Sequence, residues 1–178
     1  MKWTAILLLN CLLQSAVAAP RIDAVKGNDI FTNSPVTLEA KNLVVTFVSA
    51  TCPCSNAHKG ELAALARQHP KFKFVAVHSN TEEAVADARI YFKGAALPFP
   101  VISDGDQKMA NSFKAAKTPH SFVLDGKGQI VYQGGVSSSN DFVDADHKYL
   151  REALEDLSQG RAVRTPQARA IGCAISRL

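Results

Sequence analysis

The sequence lacks any cluster of lysines and arginines with interleaved aromatics, which argues against a nucleic-acid partner; its net charge of +4 over 178 residues is only mildly basic. It has no internal repeat and no low-complexity tract, so repeat architectures and long disordered arms are excluded. It also lacks an apolar run long enough to cross a bilayer comfortably. Ala5 to Leu13 is short, and Asn10, Gln14 and Ser15 interrupt the stretch around it, so no stable membrane anchor is expected. With Lys2 ahead of that run and Ala16-Val17-Ala18 after it, residues 1–18 read as a signal peptide cut after Ala18, and the chain as periplasmic or secreted. Cysteine is scarce too. Setting Cys11 aside with the leader leaves Cys52, Cys54 and Cys173, too few for a disulfide scaffold. An odd count leaves one thiol unpaired within a monomer, or shared between chains.

What the sequence does have is hydrophobic content of 47% and charged content of 20%, enough for one domain with a real core. The chain is organised around Phe47-Val48-Ser49-Ala50-Thr51-Cys52-Pro53-Cys54-Ser55. The apolar run Leu43 to Val48 leads in and predicts a strand covered on both faces. Asn56 to Gln68, with Leu62, Leu65 and Ala66 on one face, predicts a helix leading out. Two cysteines therefore stand where a strand ends and a helix begins. Unpaired N–H groups and the helix dipole favour thiolate there, and thiolate is the reactive form. The competing reading is a structural disulfide or a pair of buried thiols, but two cysteines this close make an awkward staple and so short a loop gains little from closure.

The remaining pattern predicts an α/β chain. Residues 19–40 read as a lead-in with at most one short strand. Strand Phe72–Val77 follows, then a helix capped by Thr81 and ended by Gly94, and a short extended piece at Pro98–Ile102. A helix over Gln107–Ala116 precedes Lys117-Thr118-Pro119. Strands His120–Leu124 and Gln129–Tyr132 flank Asp125-Gly126-Lys127-Gly128 as a hairpin, and a last helix spans Asp144–Leu157. The expected domain is 41–160. Residues 161–178 read as a basic, flexible tail carrying Cys173. Of the histidines, His120 begins a strand, His58 reads as facing solvent, and His69, His78 and His147 read as surface residues.

This order, with a cysteine at the first strand–helix junction and Thr118-Pro119 before the hairpin, resembles the thioredoxin superfamily. The residues carrying the resemblance include Phe47 to Pro53, Phe99-Pro100-Val101-Ile102-Ser103-Asp104, Thr118 to Asp125, and Val131-Tyr132-Gln133-Gly134-Gly135. Within the superfamily the chain looks most like the exported redoxin and thiol-peroxidase branch. The resemblance implies a thioredoxin-like fold, a mixed central sheet flanked by helices. It implies a thiol-dependent oxidoreductase, acting by thiol–disulfide exchange or peroxide reduction, that needs no cofactor. It makes Cys52 the nucleophile and Pro119 a cis proline, with Thr118 and Pro119 presenting backbone to substrate. Expected partners are a protein disulfide or thiol, or a hydroperoxide, together with a redox protein that resets the thiols.

The departures from the family pattern are informative. Thioredoxins carry Cys-x-x-Cys, and here the second position is Ser55, with Cys54 inside the motif. Peroxiredoxins carry Pro-x-x-x-Thr-x-x-Cys, and here Ser49 takes the threonine position while Val45 replaces the proline. Ser49 could donate a hydrogen bond to a peroxide. Ser55 cannot resolve a mixed disulfide, because a hydroxyl is a far poorer nucleophile than a thiol. Cys173, on a tether able to fold back, is then the expected resolving thiol, in preference to a strained Cys52–Cys54 bridge. A different class of function is copper binding through Cys52, Cys54 and His120, which loosely resembles the two-cysteine-plus-histidine set of copper-delivery proteins of this fold. A third is a non-catalytic partner protein.

Overall fold

The structure, a computed structural model, describes residues 22–177. The expected leader lies outside them. Strand β3 (Leu43–Val48) is buried at every position because the sheet is covered on both faces. It pairs in parallel with β4 (Lys73–His78), which pairs in parallel with β5 (Val101–Ser103). On its other edge β3 pairs antiparallel with β7 (His120–Leu124), and β7 forms a hairpin with β8 (Ile130–Gly134). The expected lead-in holds two strands. β1 (Ala24–Asp29) and β2 (Pro35–Glu39) form a hairpin docked on β5. The Asp29 carboxylate makes that turn by accepting the Phe31 and Thr32 N–H groups at 2.9 and 2.8 Å. The sheet order is β2-β1-β5-β4-β3-β7-β8.

Successive side chains of β3 feed opposite cores. Val44 and Val48 join Leu62 and Leu65 of α1 (Pro53–Gln68), Phe92 of α2 (Val85–Ala95), and Leu150 and Leu154 of α4 (Tyr149–Ser158). Val45 and Phe47 join Phe122 and also Phe113 of α3 (Lys108–Phe113). The polar pair facing across β3 and β7 is satisfied internally, with the Thr46 and Ser121 hydroxyls 2.9 Å apart.

Several boundaries differ from the expectation. α2 starts at Val85 rather than after Thr81, because Asn80 and Glu83 turn inward to the site described below. Gly94 lies inside α2, and Ala96, in the left-handed conformation, ends it. Left-handed Gln107 and Lys114 clip α3 to six residues. Residues 144–148 are not helical.

The C-terminal segment differs most. Instead of a loose tail it is an ordered strap. Asp156 accepts Arg161 at 2.6 Å and Arg164 at 3.0 Å where the strap leaves α4. Gln133 binds Pro166 and Ala168 through backbone bonds of 3.0 Å each. The strap ends as β9 (Cys173–Ala174), antiparallel to β6 (Lys117–Thr118), with Cys173 opposite Thr118. Ile175 then sinks into the core beside Phe47. Gly172 makes this docking possible. A Cβ there would lie 2.0 Å from the Thr118 carbonyl oxygen, and φ is +151°.

Candidate active site

Cys52 is the N-cap of the sixteen-residue helix α1, with extended backbone and Pro53 at the first helical position. Its side chain is 2% exposed. Its N–H donates to Ser49 Oγ at 3.0 Å, and its thiol donates to the Thr118 carbonyl at 3.0 Å. The Thr118-Pro119 peptide is cis, as expected. Because β9 pairs Cys173 with Thr118, two cysteines 121 positions apart in sequence come together beside Thr118, and their thiols hydrogen-bond.

The pKa values follow from this placement. Burial pushes the Cys52 thiol up. Hydrogen bonds from the Cys173 thiol, the Thr118 side chain and backbone N–H groups more than offset it, bringing the pKa from 9.0 down to about 7. Cys173 moves the opposite way, to about 11, through its own desolvation and through its bond to, and repulsion from, the Cys52 sulfur. The pair titrates together, and its first proton leaves more readily from Cys52 than from Cys173. Thr118 Oγ1 is buried and has no hydrogen-bond partner among the described residues while Cys52 is a thiol. It is a donor available to the thiolate, for which the Thr118 carbonyl is the wrong polarity.

The loop before Cys52 is held by Glu83, which the sequence reading missed. Its carboxylate accepts the Ala50 N–H at 2.8 Å, the Thr51 hydroxyl at 2.9 Å, the Asn80 amide at 2.7 Å and the Ser49 hydroxyl, and it meets His78 Nε2 at 2.9 Å. Burial raises its pKa, and these donors, Ser49 foremost, bring it to about 2. The Ser49 proton is therefore committed to Glu83, and Ser49 Oγ accepts from Cys52. Ser55 Oγ accepts the Ser49 N–H at 3.2 Å, so both serines shape the loop. A cavity of about 480 Å³ opens beside this loop, lined by Ser49, Thr51, Glu83, Tyr91, Cys173 and Ser176 among others.

The family model described as Redoxin matches residues 18–151 of this chain. The chain belongs to the redoxin family. No curated protein matches the redoxin. Among solved structures it is similar to an uncharacterized conserved protein from Geobacillus kaustophilus, at 27% identity and TM-score 0.79 over 90% of this chain and 92% of the other. A hypothetical protein from Sinorhizobium meliloti is similar at 28% identity and TM-score 0.77, over 88% and 92%. A secreted Mycobacterium tuberculosis disulfide oxidoreductase shares the thioredoxin-like fold at 17% identity and TM-score 0.52, over 60% and 79%.

Two expectations for the redoxin's histidines need correction. His58 does not face solvent. It is buried, with Nδ1 2.7 Å from the Cys54 carbonyl and Nε2 2.7 Å from Ser137 Oγ, tying the first turn of α1 to the loop after β8. His78 is buried against Glu83. The proposed copper set is not assembled. Cys54 Sγ points to Asn140 at 3.6 Å, and His120 Nδ1 accepts the Ala116 N–H at 3.3 Å while its ring packs on Phe122. Among the described residues no three His, Cys, Asp or Glu side chains converge as metal ligands. Burial lowers the His120 pKa to about 4.

Proposed function

We propose that this redoxin is a thiol-dependent oxidoreductase whose working couple is Cys52 and Cys173. The observation that carries this reading is a buried, acidified Cys52 on the Thr118 carbonyl, hydrogen-bonded to the thiol of Cys173, which pairs with Thr118 on β9. In disulfide exchange, the Cys52 thiolate attacks a mixed-disulfide sulfur held at this site. A Cys52–Cys173 bond forms and the substrate sulfur leaves as thiolate. Cys54 carries no such assignment: burial, the neighbouring Cys52 charge and a hydrogen bond to the Cys52 sulfur raise its pKa, and its thiol also donates to Asn140 Oδ1 at 3.6 Å.

The burial of Cys52 favours a second reading for the oxidising half-reaction. A hydroperoxide is small enough to enter where a polypeptide is not. Cys52 thiolate, peroxide and a proton would give sulfenic acid and an alcohol, and Cys173 would condense with the sulfenic acid to the same bridge, releasing water. Export fits both readings, and the secreted character of the Mycobacterium tuberculosis neighbour supports it. N-terminal sequencing of the exported protein should begin at Ala19.

The test is to oxidise the purified protein with a hydroperoxide or with a small disulfide and map its bridges. Cys52–Cys173 is expected from both. Second-order rate constants for the two oxidants identify the preferred one.

A further inference from the structure

The two sulfurs differ in who can reach them. Cys173 is exposed and lines the 480 Å³ cavity, whereas Cys52 is 2% exposed beneath the strap that carries Cys173. The strap also fills the open edge of β6 at Thr118, the edge on which an extended substrate would pair. Closing a Cys52–Cys173 bond would fix the strap there covalently. We infer that outside thiols exchange with this protein at Cys173, and that Cys52 serves as the inner partner. This inference rests on the proposed Cys52–Cys173 couple.

The geometry of the reaction carries the choice. A thiolate attacks a disulfide in line with the bond, from the side opposite the leaving sulfur. Attack on Cys173 therefore approaches from outside, away from Cys52. Cys52, 2% exposed at the N-cap of α1 with its sulfur on the Thr118 carbonyl, offers an outside thiolate far less room for such an approach. Leaving-group chemistry agrees. Expelling Cys52 releases the more acidic thiol, and the more acidic thiol leaves faster.

The full cycle balances. A thiolate RS⁻ bonds to Cys173 Sγ, the Cys52–Cys173 bond breaks, and its electron pair stays on Cys52 as thiolate. A second RS⁻ attacks the R sulfur of the mixed disulfide, releasing RSSR and Cys173, which takes up a proton. Two thiols are oxidised, one bridge is reduced, and one proton goes to solvent. Run in reverse, Cys173 collects a sulfur from an outside disulfide and Cys52 displaces it. Such a protein accepts small thiols or exposed, mobile cysteine side chains, and excludes substrates that must pair along β6.

The test uses cysteamine as the probe. The full chain is oxidised, remaining free thiols are blocked with iodoacetamide, and a peptide map establishes the bridge. Cysteamine is then added, the reaction is quenched with acid at successive early times, and newly freed thiols are capped with N-ethylmaleimide. Extrapolated to zero time, cysteamine should sit on Cys173 and maleimide on Cys52, at least tenfold over the converse. Cysteamine on Cys52 to an equal or greater extent would overturn the inference and leave the couple intact. A map without the Cys52–Cys173 bridge before cysteamine is added would overturn the couple, and this inference with it.

Discussion

The strand–helix junction and the C-terminal strap each bring one sulfur to the site, and they are held in opposite ways. The junction is anchored by β3, buried at every position, and by the five-partner Glu83 carboxylate. The strap is held by the Asp156 ion pairs with Arg161 and Arg164, by backbone bonds to β8 and β6, by Ile175, and by the absence of a side chain at Gly172. Against its burial, hydrogen bonds from the strap's own Cys173, from Thr118 and from the α1 backbone make Cys52 the better anion, and the strap also covers it. The junction supplies the inner sulfur, and the strap supplies both its partner thiol and its cover, so mutations in the two regions should have different signatures.

The largest effect should come from removing the inner sulfur. Cys52→Ser should abolish the Cys52–Cys173 bridge and lower oxidant-driven thiol turnover by roughly a hundredfold or more, measured as peroxide or disulfide consumption. Next is lifting the strap without touching a sulfur. Gly172→Val places a side chain against the Thr118 carbonyl, so β9 should detach while the main sheet stays folded. Labelling of Cys52 by a bulky maleimide should then rise by about tenfold, with far-ultraviolet circular dichroism nearly unchanged.

Glu83 tests the rigid side. Its pKa is about 2 in the fold against 4.5 when free, so it adds stability that is full above about pH 4.5 and is lost as pH falls towards 2. Glu83→Gln should cost on the order of 2–3 kcal/mol at neutral pH by denaturant titration. The gap between wild type and variant should close as pH approaches 2. The smallest effect concerns the link between the regions. The Cys173 thiol is the foremost hydrogen-bond donor to the Cys52 sulfur, so Cys173→Ala should move the midpoint of Cys52 alkylation by iodoacetamide upward from about 7.

The rigid region was also the legible one. The bounds of β3 could be read from its apolar, β-branched run, the signature of a strand covered on both faces, and those of β7 from Pro119 before it and the Asp125-Gly126-Lys127-Gly128 turn after it. The Cys52 junction and cis Pro119 followed from local pattern and family resemblance. Glu83 was not legible. In sequence it is one of two glutamates ahead of a helix, and only the packing of β4 beside β3 brings it under Ser49. His58 and His78 were misread for the same reason, since their burial depends on distant Ser137 and on Glu83. The strap was misread as loose because its composition is basic and polar. Its order comes from ion pairs to Asp156, backbone pairing with β6, a steric vacancy at Gly172 and a single buried Ile175, and none of these leaves a periodic hydrophobic pattern to read.

The most direct test of the account is the disulfide map of the oxidised protein. Purified protein treated with a slight excess of hydroperoxide, alkylated, digested without reduction and analysed by mass spectrometry should show Cys52 joined to Cys173, with Cys54 alkylated. A map showing Cys52 joined to Cys54, with Cys173 free and alkylated, would contradict it and make the close pair the redox couple.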